Sequence, residues 1–297
     1  MYDSDAKSYI PATTDITPWS VESSFVFPKA LLGENILNES SLFGGRTILA
    51  KNNDFIISGS EEGGFSFRIS AVKSSANKKT AKFKLSSPGG LFTELTSSYF
   101  PTVYNNSKWN LAFKISKASD NSLHHAPDPS ADIKLPGPVQ VEFIGQQYES
   151  DFLVNSFHLT QSISAAAYNQ ISTGSNKTVY VGATRENITG SVTHKSDARC
   201  LFLNVWNDSL TIEDIKQHAL NPDSYGRSSA ASFSKSNIGN NKLGFENLIL
   251  AWQFDDLTTP ESNTGLEVVD FSSGSAEFLV KGLSPTTGSG NIHLQSG

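Results

Sequence analysis

Hydrophobic and polar positions alternate along much of this chain with a period of two. Phe65-Ser66-Phe67-Arg68-Ile69 and Lys82-Phe83-Lys84-Leu85 are the cleanest stretches. A period of two with one wet face marks antiparallel strands. The pattern predicts strands at 24–27, 46–50, 55–58, 65–72, 81–85, 91–95 and 109–115. It predicts others at 139–144, 152–159, 179–183, 200–205, 248–254, 266–269 and 277–280. Turn-forming clusters such as Ser87-Pro88-Gly89-Gly90 and Thr173-Gly174-Ser175-Asn176 separate them. Many short strands punctuated in this way predict an all-β sandwich or jelly roll.

One stretch changes period. From Thr211 to Leu220 the chain reads as a short surface helix, with Ile212, Ile215 and Ala219 on one face. The Thr211 hydroxyl can accept the backbone N–H near Asp214, and the early acids Glu213 and Asp214 suit the positive helix end. Asn221-Pro222 stops it. The short link from Val205-Trp206 predicts that the helix folds back over the sheet edge. Ile212 and Ile215 would then cover apolar side chains, and Trp206 would belong to the core.

Residues 1–20 read as an N-terminal arm or linker and 21–225 as the jelly roll. Residues 226–244 form a Ser/Asn-rich linker. Residues 245–297 read as closing strands of the same sandwich or the start of a second module. The segments 116–131, 224–241 and 284–297 read as long loops. A polar start from Met1 to Ile10 predicts no apolar leader, so an extracellular location would require lysis, another secretion route or an upstream region.

Composition adds exclusions. The chain has 297 residues, enough for a large core, and only 18% are charged, whereas Ser alone supplies 44. Hydroxyls, more than ions, therefore make the chain polar. The net charge of -6 argues against nucleic acid as a partner, and no apolar run is long enough for membrane insertion. Lys78-Lys79, with Lys73 and Lys82 nearby, reads as a solvated strand edge. Cys200 is alone in an apolar strand, which predicts a buried, inert thiol.

A family resemblance rests on the run from Thr178 to Leu220. Thr-Val-Tyr-Val-Gly-Ala-Thr-Arg is followed, after a loop, by Cys-Leu-Phe-Leu-Asn-Val-Trp-Asn-Asp-Ser-Leu-Thr-Ile-Glu-Asp-Ile. Asn207, Leu210, Thr211, Glu213 and Ile215 keep the order of the strand-to-helix segment in laminin-G-like and pentraxin-like domains of the concanavalin A-like superfamily. Gly64-Phe65-Ser66-Phe67 and Lys108-Trp109-Asn110-Leu111-Ala112-Phe113 resemble upstream strands of that family. Leu248 to Asp255 and Val268 to Gly274 resemble its opening strands, here placed after the helix. The resemblance implies a concanavalin A-like jelly roll of the kind found in large modular surface and phage virion proteins. The expected role is a non-catalytic structural or adhesion module at a virion or extracellular surface. Its partners would be other copies, neighbouring structural proteins or a cell-surface glycan. A calcium-assisted carbohydrate-binding lectin is the alternative, and a degenerate glycoside hydrolase the remote one.

Candidate chemistry is sparse. Glucanases of that superfamily carry several acids on one strand face, two residues apart. Here Glu142 has Gln140 and Pro138 at those positions, so a retaining pair is missing. No catalytic, cofactor-binding or metal residue is assigned. His124, His125 and Asp128 read as a solvated loop, and His218 as a cation suited to the helix end. Calcium, which the resemblance keeps open, would draw on Asp255, Asp256, Asp270, Glu261, Asp208 or Asp223. Tyr99, Tyr104, Tyr148 and Tyr168 are candidate sugar platforms that read more simply as packing residues. Sequons at Asn38, Asn105, Asn176, Asn187 and Asn207 are expected by chance in so Asn- and Ser-rich a chain.

Overall fold

A computed structural model describes residues 2–3, 8–9, 19–29, 37–48, 66–88, 90–117, 139–164, 167, 175–185, 192–206, 209–222, 248–258, 266–270 and 290–292. In chain order the strands are β1 (Tyr2–Asp3), β2 (Ser8–Tyr9), β3 (Trp19–Phe27), β4 (Glu39–Ile48), β5 (Ser66–Lys73) and β6 (Ala81–Ser86). Next come β7 (Leu95–Thr96), β8 (Ser107–Lys117), β9 (Val139–Glu149), β10 (Phe152–Ile163), β11 (Ser175–Val181) and β12 (Ala183–Arg185). The last are β13 (Val192–Lys195), β14 (Arg199–Trp206), the helix Ile212–Leu220, β15 (Leu248–Thr258), β16 (Leu266–Asp270) and β17 (Gly290–Ile292).

These strands make a large sheet, in the order β10-β9-β8-β3-β14-β15-β16-β17, and a small sheet, β11-β4-β5-β6-β7. β1-β2 and β12-β13 form two further two-stranded sheets, and every pairing is antiparallel. The chain is therefore all-β with one helix among the described residues. That helix is too short to cross a membrane.

The two sheets pack face to face through aromatic rings. Phe25 of the large sheet stacks on Phe43 of the small one at 6.0 Å, and Phe67 meets Phe113 at 4.6 Å. Phe83 touches Phe27, Trp109 and Phe157 from the opposite sheet. Alternation explains the geometry: along β6 the side chains run buried and half-buried in turn, so Ala81, Phe83 and Leu85 face inward together. Gly145 is register partner to Phe157, and a Cβ there would lie 2.1 Å from the Phe157 ring. Only glycine lets that ring lie across β9.

β3 and β8 are buried on both faces. Inward, β8 presents Trp109, Leu111, Phe113 and Ile115 to the aromatic core. Outward, its next row carries the helix. Lys108 Nζ donates to Ala219 O at 2.8 Å, Asn110 Nδ2 to Ile215 O at 3.2 Å and Lys114 Nζ to Leu210 O at 3.1 Å. Ala112 between them joins Ile144, Trp206, Leu210, Ile215, Leu248 and Ala251 in a second apolar cluster. The helix thus lies on the face of the large sheet, not at its edge. Its start carries the expected Thr211 cap, closed into a capping box by Asp214.

Several sequence expectations need correction. Ile212 is 46% exposed, because the docked face of the helix is Ile215, His218 and Ala219. The predicted strand 91–95 is mostly bend, and only Leu95–Thr96 pairs. Within residues 1–20, read as an arm or linker, Tyr2–Asp3 pairs with Ser8–Tyr9, and β3 begins at Trp19. The predicted strands 55–58 and 277–280 lie outside the described residues. The strands β1, β2, β13 and β17 are too short to carry an alternation signal in the sequence. Beyond the helix, β15 pairs with β14, so the chain after the Ser/Asn-rich stretch extends the large sheet.

The docking geometry yields a paired test. Ile215→Ala should cost about 2–5 kcal/mol through lost burial and the cavity left behind. Ile212→Ala should stay within about 0.5 kcal/mol, as exposed positions do. Denaturant melts of both variants check the expected contrast.

Candidate functional site

Ionisable side chains gather in several clusters within the described sandwich. The first lies on the outer face of the large sheet. Glu142 of β9 sits 3.0 Å from Lys114 Nζ and 2.6 Å from His158 Nε2, and it accepts from Ser116 Oγ at 3.1 Å. Neighbouring strands supply all three partners because residues two apart share a face. Burial alone would raise the Glu142 carboxyl, but His158 and Lys114 outweigh it and hold it at about 2. Such a carboxyl stays ionised at neutral pH and is a poor general acid.

The second cluster lies under the helix. Glu22 of β3 is fully buried and accepts from Trp206 Nε1 at 2.9 Å. His218 Nδ1 lies 2.7 Å from the same Glu22 oxygen, and the His218 ring stacks on Trp206 with centroids 5.1 Å apart. Burial pulls the imidazole towards neutrality, yet Glu22 and then Asp214 hold His218 above the ordinary histidine value. His218 is therefore more than a cation at a helix end. It closes a buried pair between helix and sheet.

The third cluster joins the two sheets at their rim. Lys73 is the last residue of β5, and its side chain is fully buried. The solvated edge expected for it is wrong, whereas Lys78 and Lys79 are exposed. The Lys73 ammonium contacts Asp197 Oδ2, donates to Leu37 O at 2.9 Å and sits 3.9 Å from the centroid of the Tyr104 ring. Asp197 comes from the turn between β13 and β14. Its other oxygen, Oδ1, accepts from Ser40 Oγ at 2.7 Å and Tyr104 Oη at 2.9 Å. Burial lowers the Lys73 ammonium below the ordinary lysine value, against the opposing pull of Asp197, and Lys78 lowers it further. Burial and the Asp197 charge push the Tyr104 phenol up, so it keeps its proton. Asp197 and Ser40 had no signal in the sequence, since the cluster joins residues 124 and 157 positions apart.

Other sequence candidates fall apart spatially or outside the description. Tyr104 is buried and Tyr148 nearly so, whereas Tyr99 is half exposed with Lys82 Nζ 5.5 Å from its ring centroid. Cys200 packs against the main core, and burial pushes its thiol up to about 12, so it is inert as expected. Asp255 and Asp256 lie in β15 and Asp270 ends β16, with their side chains outside the description. His124, His125, Asp128, Tyr168, Asp208, Asp223 and Glu261 lie outside the described residues, as do Asn187 and Asn207. Asn38 and Asn105 are exposed, and Asn176 lies in β11. Among the described residues no three His, Cys, Asp or Glu side chains gather as a metal site requires.

Against known proteins, no family model and no curated protein matches the chain.

The Glu142 network makes a prediction about acid. A carboxyl held below its ordinary value of 4.5 contributes stability that is present above that pH. That contribution is lost as pH falls from about 4.5 towards about 2. Wild type should therefore lose stability more steeply through that window than Glu142→Gln, as measured by urea melts at stepped pH. Equal slopes would mean that Glu142 is not paired as described.

Proposed function

We propose that the chain is a concanavalin A-like jelly-roll module with a structural or adhesive role in a large surface or virion assembly, acting without catalysis. The observation that carries this reading is the outer strand of the large sheet. β10 borders it, with β9 as its one strand neighbour among the described residues. It opens with Phe152, Leu153 and Val154, exposed at 76%, 48% and 48%. An unshielded edge with consecutive apolar side chains is a surface that natural proteins blunt unless a partner covers it. A second copy of this chain fits, because an antiparallel edge can pair with itself about a twofold axis.

The acidic side chains support the same reading. Glu142, Glu22 and Asp197 are each held by neighbours within the sandwich, and Glu39 is bound by Lys84, Ser70 and Arg68. These carboxylates fasten strands to one another.

Light scattering over a concentration series, combined with a glycan-array screen with and without calcium, tests the proposal. Association that is lost in Val154→Lys, with the melt unchanged within about 0.5 kcal/mol, is the expected result. A monomer at every concentration would contradict self-association. Calcium-dependent glycan binding by that monomer would favour the lectin reading. Glycan turnover that disappears in Glu142→Gln would favour the hydrolase.

A further inference from the structure

We propose that Lys73 and Asp197 condense into an intramolecular isopeptide bond that ties β5 of the small sheet to the turn leading into β14 of the large one. The geometry separates the two carboxyl oxygens by role. Oδ2 faces the Lys73 nitrogen, while Oδ1 accepts from both Ser40 Oγ and Tyr104 Oη. An ordinary ion pair requires only the first contact. Two hydroxyls fixed on the far oxygen also make a site for negative charge at Oδ1 when the carboxyl carbon becomes tetrahedral.

The nucleophile is prepared by its surroundings. The Lys73 side chain is wholly buried, and burial favours its neutral amine. Leu37 O accepts one N–H and the Tyr104 ring covers the group, so the nitrogen is fixed against the carboxyl. Fixing two reactants in contact removes the entropic cost of their encounter. Among the described residues, Lys78 also acts on Lys73; it is exposed and donates from Nζ to Asn38 Oδ1 at 2.9 Å.

The step balances without a co-reactant. A proton passes from the Lys73 ammonium to Oδ2, giving an amine and a carboxylic acid. The amine lone pair attacks Cγ and forms the Nζ–Cγ bond, with charge gathering on Oδ1. The nitrogen gives a second proton to the departing Oδ2, the Cγ–Oδ2 bond breaks, and water leaves. Oδ1 becomes the amide oxygen, still held by Ser40 and Tyr104. Asp197 is partly open to solvent, which gives the water an exit, while the lysine side stays dry.

Intact-mass spectrometry of the full-length protein tests this directly. The expected mass is that of the sequence less one water, with a single branched peptide joining Lys73 to Asp197 after proteolysis. Lys73→Arg should restore the full mass. Asp197→Asn should instead lose one ammonia if the lysine attacks the amide. Full sequence mass in soluble wild type would overturn the proposal. So would a water loss that persists in Lys73→Arg, since a succinimide at Asp197 would survive that change.

Discussion

The two faces of β8 fix the architecture. Its inward row, Trp109, Leu111, Phe113 and Ile115, forms the floor on which the small sheet's rings rest. Its outward row, Lys108, Asn110 and Lys114, reaches up to backbone carbonyls of the helix segment. A strand buried on both faces cannot slip by one residue, because a slip would carry ammonium groups into the aromatic core and rings under the helix. That register constraint propagates to β3 and β9, which flank β8 and bring Glu22 and Glu142 to the outer face. Both acids are there because the helix and its anchors need countercharges in a covered layer.

Charge inside this protein is used to join layers. Glu142 neutralises the lysine that holds Leu210, and Glu22 meets the helix through His218. Lys73 and Asp197 do the same work between the two sheets. Buried ion pairs of this kind contribute little net stability over apolar packing, but removing one partner strands the other at high cost. They make the arrangement specific. A covalent Lys73–Asp197 bond would go further and make the connection between β5 and the turn before β14 permanent.

The strands were largely legible because their signal is local. Alternation in β6 and the apolar runs of β8 and β14 can be read from a few residues. The helix was legible to within one residue, since its cap and stop are contiguous in sequence. What failed was long range. Lys73 read as solvated because the residues that bury it, Tyr104 and Asp197, lie far along the chain. Ile212 read as docked because the helix face is set by Lys108, Asn110 and Lys114, not by helical periodicity alone. Strand 91–95 had apolar composition, but Leu91 and Phe92 cap the core from a bend. The candidate sites were the least legible part, because each joins side chains from separate strands or turns.

Hydrogen exchange followed residue by residue measures the central claim most directly. If β8 is the doubly buried spine, the amides of Leu111, Ala112 and Phe113 open only with global unfolding and exchange among the slowest in the protein. The amides of edge strand β10 should exchange well before them. Exchange of the β8 amides ahead of those in β10 would contradict the account.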